Sequence, residues 1–352
     1  MTPRGTDWGL ALLVALGLAS GLATWFAGSP GAAWVFSAHA LAGLSLTALL
    51  IFKLRRVLPG VRTRARRDRR TLRGVLALGL VVLVLVSGLV WASAGRVAVG
   101  GFTVLFWHGT LGAVLAVVVL THARVRAKRV RSRDILDRHQ FLTAAAVGTG
   151  AVVAWQVQRP LQRTLGLPGA SRRFTGSYDA GSFTGNDFPS TSWVADAPRP
   201  LSADHRLTVT GRVHHPLALT VADLDRADTL TATLDCTGGF YSTQHWHGTL
   251  LSRLLGEAGV EPDAHHVRII SRTGYRWSFN LTAADHLLLA THVGDEPLTH
   301  GHGAPCRLVA PGRRGFQWVK WIDRIEVHEN PDPGAVASTV WSSLTAAGRG
   351  AS

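Results

Sequence analysis

The chain has 352 residues, of which 47% are hydrophobic and only 17% are charged. This composition excludes a disordered protein and is unusually apolar for a soluble one. The formal net charge is +15, but segments 53–73 and 124–138 together carry +14 of it. Because the rest of the chain is nearly neutral, we expect no nucleic-acid partner. Two cysteines are also too few for a disulfide scaffold.

Five apolar runs account for the position of the two basic segments. They lie at residues 8–27, 32–52, 74–95, 97–121 and 141–157. The first four are about 20 residues or longer, which is enough to cross a bilayer as helices, and the fifth is shorter. The basic segments follow the second and fourth runs, so the positive-inside rule places both in the cytoplasm. We therefore expect a multi-pass cell-membrane protein in contact with lipid, whose chain after the fifth span is periplasmic or extracellular.

Two of the predicted spans each contain one histidine, and the two lie at a similar depth. Lys53 and Arg124 are the first basic residues after the two spans. The number of residues from His39 to Lys53 is close to the number from His108 to Arg124. A glycine four residues after each histidine leaves space for a flat macrocycle on the same helix face. Two axial imidazoles at one depth suit haem b, so we expect both histidines to bind the haem iron.

Other interpretations of the membrane histidines stay open. His39 and His108 could instead only form hydrogen bonds between helices. His122 follows His108 on nearly the same helix face and could serve a second haem, although its counterpart on the other helix is Lys53.

The composition changes after residue 158, which predicts a separate strand-rich domain. We expect a transmembrane module over 1–158, an irregular arm over 159–205, a folded domain over 206–335 and a tail over 336–352. Helices are predicted at 249–258 and near 283–291. Short β-type runs predict strands at 206–214, 217–221, 231–235, 266–271, 275–280, 306–310 and 318–327.

Four ordered sequence blocks in this domain resemble the family of sulfite oxidases and periplasmic methionine-sulfoxide reductases. The blocks are TLDCTGGF around Cys236, WHG at 246–248, HGAPCRLVAP at 302–311 and GFQWVKW at 315–321. The resemblance runs from about Asn186 to Glu329. It implies an α+β domain of the sulfite oxidase molybdopterin-binding type, following an all-α bundle of five membrane helices.

The resemblance also implies which residues bind the cofactor. Cys236 would bind molybdenum through its thiolate, which is a soft metal ligand, and would be the catalytic residue. Arg307 and Lys320 would supply positive charge for the pterin phosphate. The remaining implied cofactor contacts are Asn186, Phe188, Ser271, His302, Trp318 and Val319. The chain departs from the family where His302 replaces a usual Asn and where Pro189-Ser190 replace an aromatic–acid pair.

Less specific roles are possible for several of these residues. Cys236 could be an inert core cysteine, or it could pair with Cys306, which we otherwise expect in the core. The histidines at 245, 247, 300 and 302 invite a zinc site, but no carboxylate or cysteine spacing completes a tetrahedral set.

The sequence thus predicts a molybdenum oxidoreductase that acts on a small molecule and exchanges electrons with quinone, or another carrier, through the haem. Sulfite-like oxidation would need cations beside the metal, and the candidates are Arg272, Arg276, Arg313 and Arg314. Sulfoxide or N-oxide reduction, which we slightly favour, would prefer an aromatic pocket, for which the candidates are Phe240, Tyr241, Tyr275 and Trp277. The alternative is a non-catalytic haem electron-transfer or sensor protein with the same fold.

Overall fold

The structure is a computed structural model that describes residues 2–64, 69–126, 138–191, 200, 205–224 and 228–344. The chain divides into two compact units, an amino-terminal unit of residues 1–176 and a carboxy-terminal unit of residues 177–352. The side chain of His122, the candidate ligand of a second haem, lies outside the described part.

The amino-terminal unit contains five long helices within the described residues. They are α1 (Pro3–Thr24), α2 (Ala33–Arg64), α3 (Arg69–Ser93), α4 (Val104–Arg126) and α5 (Arg138–Thr164). Each is long and apolar enough to cross a membrane. Helix α1 packs on α2, α3 on α4, and α5 on α2. Many large apolar side chains on these helices are exposed, while their shared core includes Leu10, Val14, Leu46, Leu49 and Leu115.

The predicted run 97–121 differs from the structure at its beginning. Residues Ala98–Val99 (β1) and Phe102–Thr103 (β2) form a small antiparallel hairpin, and helix α4 begins only at Val104. The reason is the Gly100-Gly101 pair, since both glycines adopt the positive φ angles that this tight turn requires.

The last part of the amino-terminal unit is ordered by contacts with the end of α3. Arg172 is buried, and its guanidinium donates to the carbonyl oxygens of Ala94 and Gly95 at 2.9 and 3.2 Å. The same group lies 4.2 Å from the centre of the Trp91 ring. Arg172 therefore satisfies backbone carbonyls just beyond this helix end, within the segment predicted as an irregular arm.

The carboxy-terminal unit is built on two sheets in the described residues, which confirms the strand-rich α+β prediction for this part of the chain. The strands of the first sheet are β3 (Tyr178–Asp179), β6 (Asp228–Asp235), β7 (Phe240–Leu250), β10 (Leu288–Val293), β11 (Glu296–Pro297) and β12 (Arg307–Val309). Their order is β11-β10-β7-β3, with β12 also paired to β10 and β6 to β7.

The strands of the second sheet are β4 (Leu207–Gly211), β5 (Leu217–Leu219), β8 (His266–Ser271), β9 (Arg276–Asn280) and β13 (Ile322–His328). Their order is β5-β4-β13-β8-β9, and among the neighbouring pairs of these described strands only β4 and β13 run parallel. The helices of this unit, as far as it is described, are α6 (Val221–Leu224), α7 (Leu251–Ala258) and α8 (Ala335–Leu344). The core is formed by strands of both sheets together with α7.

Two long strands of the first sheet are not predicted by the sequence patterns. Strand β7 buries Ser242, Gln244 and Trp246 on one face, and the polar residues among them hide the alternation that identifies a strand. The helix predicted near 283–291 is wrong, because this segment forms a short 3₁₀ helix over Leu281–His286 and then β10. The run LLATHV in β10 is almost wholly buried, and a short apolar run has no period that separates strand from helix.

Gly248 allows two strands of the first sheet to approach closely. A Cβ atom added at Gly248 would lie 2.0 Å from the carbonyl oxygen of Leu289 on β10. No side chain fits between these backbones, so the glycine of the WHG block is a packing requirement of β7 against β10.

We therefore expect Gly248→Ala to destabilise the folded protein by about 2 kcal/mol or more, because the strands must separate. Gly256→Ala is the matched control, since nothing lies within 4 Å of a Cβ atom added to that helical glycine. The control should be neutral or stabilising by about 0.5–1 kcal/mol. Thermal unfolding of the full-length protein in detergent measures both, and equal midpoints for the two variants would contradict this account of β7.

Candidate active site

Cys236 lies immediately after β6, in the turn that leads into β7. Its backbone N–H donates to Phe240 O at 2.8 Å, and its carbonyl accepts from Gly239 N at 3.0 Å. Gly239 has a φ of +98°, in the region that favours glycine. The thiol is half-buried, and its sulfur lies 3.3 Å from the Gly238 backbone nitrogen. The fold therefore presents the Cys236 sulfur from a well-bonded turn.

A buried ion pair holds this turn against the segment around Gly315. Arg314 Nη1 lies 2.5 Å from Asp235 Oδ1, and both side chains are almost fully buried. Ser177 Oγ donates to the same carboxylate oxygen at 2.7 Å, while Arg314 Nη2 donates to Cys236 O at 3.3 Å. A Cβ atom on Gly315 would lie 3.0 Å from Cys236 Cα, so the two backbones are in direct contact.

Lys320 links the Ser190-Thr191 backbone to the 3₁₀ turn over His300–His302. Its ammonium group donates to Thr191 O at 2.8 Å, Ser190 Oγ at 3.1 Å and Gly301 O at 2.6 Å. These three acceptors are neutral oxygen atoms. Lys320 belongs to the same group of residues as Cys236, since Thr191 Oγ1 also approaches the Cys236 sulfur at 3.5 Å.

His302 fixes the position of the Phe188 segment. Its Nε2 lies 2.9 Å from Phe188 O, its Nδ1 lies 2.8 Å from Thr299 Oγ1, and the rings of His302 and Phe188 are 4.1 Å apart at their centres. Burial lowers the pKa of His302 to about 4, so the imidazole is neutral at physiological pH. Asn186 is held nearby, with its side chain bonded to Pro297 O and Thr299 N at 3.0 and 3.1 Å.

Arg307 is a buried cation with no carboxylate partner among the described residues. Its Nη1 donates to His302 O at 3.1 Å, and its guanidinium lies 5.1 and 5.7 Å from the ring centres of Trp246 and Trp318. Its Nε atom has no hydrogen-bond partner in the described part of the chain. Burial lowers the pKa of Arg307 to about 10. A buried cation in this state is stabilised when an anion binds beside it.

The other residues predicted to contact the cofactor lie in the framework of the two sheets. Trp318 and Val319 are buried, and Val319 O accepts from Leu308 N at 2.7 Å, which joins the HGAP and GFQW blocks. Ser271 is also buried, at the end of β8, where it pairs with Ile322 of β13. The pairing of Ser271 with Ile322 is part of the second sheet, whereas Cys236 follows β6 of the first sheet.

The structure decides several of the open alternatives. Cys236 and Cys306 are both free thiols, so the disulfide alternative is wrong. Cys306 is buried, and burial raises the pKa of its thiol to about 12, which makes it an inert core residue. Among the residues that the structure describes, no three metal-binding side chains of the His, Cys, Asp or Glu type come together, so the histidines form no zinc site there.

The residues proposed to select the substrate are also placed. Of the aromatic candidates, Phe240, Tyr275 and Trp277 belong to the hydrophobic core. Three of the four arginines are paired with carboxylates. The pairs are Arg272–Asp323 at 3.3 Å, Arg276–Asp332 at 2.5 Å and Arg314–Asp235 at 2.5 Å.

Sequence reasoning missed how the Cys236 turn is held, since it named Arg314 only as a candidate cation for the substrate and assigned no role to Asp235, Ser177 or Thr191. Asp235 and Arg314 directly precede Cys236 and Gly315, so an acid and a base beside two motif positions are a signal that could have identified the ion pair. Ser177 and Thr191 lie outside the motif blocks, and nothing in the local pattern marks them. Their roles depend on tertiary contacts with residues 58 and 45 positions away.

The group has the chemistry of a receptor for an anion that is bound through sulfur. A half-buried thiol lies on a firm turn, and Arg307 provides a buried cation that no described carboxylate neutralises. Lys320 adds a second positive charge in the same group of residues. A soft metal whose organic ligand carries a phosphate matches this combination of a thiolate with positive charge. The residues present therefore fit a molybdopterin cofactor.

We expect Asp235→Asn to destabilise the protein by about 3–5 kcal/mol, because it leaves the buried Arg314 without its counter-ion. Arg212→Gln is the control, since it removes only surface ion pairs, with Glu261 at 3.1 Å and with Asp263 at 3.0 Å. The unfolding midpoint should fall strongly in the first variant and stay unchanged in the second. Similar midpoints would show that the buried pair does not anchor the Cys236 turn.

Comparisons with known proteins agree with this chemistry. Residues 194–336 match the family model of the oxidoreductase molybdopterin binding domain. The catalytic subunit MsrP of the protein-methionine-sulfoxide reductase of Gluconobacter oxydans is 26% identical, over 63% of this chain and 78% of its own length. The uncharacterized oxidoreductase YuiH of Bacillus subtilis is 31% identical, over 36% of this chain and 67% of its own length.

Another relative shares a shorter part of the chain. The mitochondrial sulfite oxidase of Drosophila melanogaster is 31% identical over 30% of this chain, which spans 22% of that protein. The matches thus join this chain both to reductases and to oxidases. The chain belongs to the family of oxidoreductase enzymes that carry a molybdopterin-binding domain and use the molybdenum cofactor.

Proposed function

We propose that this protein is a membrane-anchored molybdenum oxidoreductase whose active site lies outside the cytoplasmic membrane and which exchanges electrons through a haem. The observation that carries the proposal is the Cys236 thiol, held on its turn near the cation Lys320 and the Thr191 hydroxyl. The domain over 206–335 with its arm would be the catalytic part, and the helical module over 1–158 would be the anchor.

The chain's own residues would divide the work of holding the cofactor. Cys236 would bind the metal through sulfur, and Gly238 N–H would stabilise the charge on that sulfur. Arg307 and Lys320 would neutralise the phosphate, and His302 would keep the Phe188 segment in place. When bound, molybdenum would supply the transfer of an oxo group to or from the substrate, coupled to a two-electron change in its oxidation state.

The membrane part of the proposal depends on the amino-terminal helices. They have the length and hydropathy of membrane spans, and large apolar side chains such as Leu22, Leu83 and Val117 are more than half exposed along them. Lipid would cover these side chains. The two basic segments then set the orientation, with the carboxy-terminal unit in the periplasm or outside the cell.

Reduction of a small uncharged substrate, such as a sulfoxide or an N-oxide, is favoured over oxidation of sulfite. An anionic substrate needs free cations beside the metal, but three of the four candidate arginines are already engaged in ion pairs with aspartates. The name of the Gluconobacter relative, a methionine-sulfoxide reductase, points in the same direction. Sulfite-like oxidation remains the second candidate, since a sulfite oxidase is also among the relatives.

The two membrane histidines have matching surroundings that suit haem ligands. His39 Nδ1 lies 3.0 Å from Gly17 O and 3.1 Å from Ser20 Oγ. His108 repeats this arrangement on the next helix hairpin. Its Nδ1 partners are Val84 O at 3.0 Å and Ser87 Oγ at 3.2 Å. A backbone carbonyl that accepts from Nδ1–H leaves the Nε2 lone pair for a metal.

The spacing of the two rings also suits one metal ion between them. The ring centres of His39 and His108 are 5.9 Å apart. A metal ion held by both imidazoles would lie between the two rings, since metal–imidazole bonds are about 2 Å long. Gly21 and Gly88 make room for the imidazoles, since an added Cβ would lie 3.3 and 2.9 Å from their Cε1 atoms. Quinol or another carrier would then supply electrons to the haem.

We expect the purified wild-type protein to contain near-stoichiometric molybdenum and pterin. Cys236→Ser should lose roughly 100-fold or more in reductase activity, because the metal loses its protein ligand. Cys306→Ser is the matched control and should keep both metal and activity, since Cys306 is a buried core residue. Mass spectrometry, a pterin fluorescence assay and turnover of methionine sulfoxide measure these properties. Undiminished activity in Cys236→Ser would contradict the proposal.

We expect intact membranes that contain the protein to show the reducible absorption bands of haem b. His39→Ala and His108→Ala should each abolish these bands, because both imidazoles would hold the haem, while His139→Ala, at the exposed start of α5, should keep them. Histidines that only join helices by hydrogen bonds would give no such bands. A wild-type spectrum without them would remove the haem from the proposal and leave the molybdenum site unaffected.

The non-catalytic alternative makes a different prediction. A protein that uses the fold without catalysis would be folded but free of molybdenum, even when it is made in a host that supplies the cofactor. Haem bands without molybdenum would therefore favour an electron-transfer or sensor protein.

A further inference from the structure

The hydroxyl group of Thr191 faces the sulfur of Cys236. Thr191 Oγ1 lies 3.5 Å from Cys236 Sγ, which is within hydrogen-bond distance for sulfur. Among the described residues, the other hydrogen-bond partner of this sulfur is the backbone N–H of Gly238 at 3.3 Å. Within the described part of the chain, Thr191 Oγ1 forms no other hydrogen bond. A side chain and a backbone group thus approach the same sulfur atom.

The position of Thr191 is fixed by bonds that do not involve its hydroxyl group. Lys320 Nζ donates to Thr191 O at 2.8 Å and to Ser190 Oγ at 3.1 Å, and Ser190 Oγ in turn donates to Gly301 O. Three residues earlier, Phe188 O is held by His302 at 2.9 Å. Removal of the hydroxyl alone should therefore leave the segment in place.

The direction of the hydrogen bond follows from metal binding. A thiolate that is bound to a metal carries no proton, so the sulfur can only accept and Thr191 must donate. A hydrogen bond to a ligand sulfur draws electron density away from the metal and stabilises its reduced form. We propose that Thr191 is a positioning residue that donates this hydrogen bond to Cys236 and thereby raises the reduction potential of the bound metal. This inference rests on the proposed role of Cys236.

The experiment compares redox titrations of full-length protein loaded with cofactor, followed through the paramagnetic signal of molybdenum. Thr191→Val has nearly the same shape without the hydroxyl, and Thr191→Ser keeps the hydroxyl. Thr231→Val is the control for the same change on β6, where the hydroxyl contacts His245 at 2.9 Å. Molybdenum content is measured in every sample.

We expect Thr191→Val to keep its molybdenum and to shift to a lower potential. At the midpoint potential of the wild type, the ratio of reduced to oxidised molybdenum in Thr191→Val should be about three- to tenfold below that of the wild type. A tenfold change corresponds to about 59 mV for one electron. Thr191→Ser and Thr231→Val should match the wild type.

Three results would overturn the inference. One is an unchanged potential in Thr191→Val with molybdenum present, and another is a Thr191→Ser variant as low in potential as Thr191→Val. The third is loss of molybdenum from Thr191→Val alone, which would mean that Thr191 retains the metal and does not tune it. Wild-type protein without molybdenum would instead overturn the proposed function, and this inference with it.

Discussion

The buried pair of Asp235 and Arg314 is the constraint on which the site depends. Asp235 is the last residue of β6, and Arg314 is the residue before Gly315, so one ion pair joins the strand that presents Cys236 to the segment in contact with it. Burial of two charges is costly, and here Ser177 and the Cys236 carbonyl provide the further hydrogen bonds that offset the cost. The turn that carries the sulfur is therefore held by a neutralised and hydrogen-bonded ion pair.

Arg307 is in the opposite state. It is buried, and no carboxylate among the described residues pairs with it; its guanidinium donates only to a backbone carbonyl, that of His302, at 3.1 Å. A protein tolerates an uncompensated charge when a ligand of opposite charge completes it. Arg314 is neutralised and therefore serves to hold the Cys236 turn, whereas Arg307 is uncompensated and is available to bind an anion. This difference agrees with the anionic cofactor of the family.

Part of the fold could be predicted from the sequence, and the residues of the candidate site could be proposed from it, for identifiable reasons. Long apolar runs predict helices because a helix satisfies its backbone hydrogen bonds within the segment even where water is absent. The four motif blocks carry residues such as Cys236 and Arg307 whose chemistry is specific. Strand β7 could not be predicted, because Ser242 and Gln244 are buried through tertiary hydrogen bonds that leave no apolar alternation. The same applies to Thr191, which is placed by Lys320 from 129 residues away.

The central claim is that Cys236 binds molybdenum through sulfur. X-ray absorption at the molybdenum edge tests this most directly, because it counts the sulfur atoms bound to the metal in full-length wild-type protein and in Cys236→Ser. The account predicts one sulfur ligand fewer in the variant, with Cys306→Ser identical to the wild type. The same number of sulfur ligands in Cys236→Ser and in the wild type would contradict it.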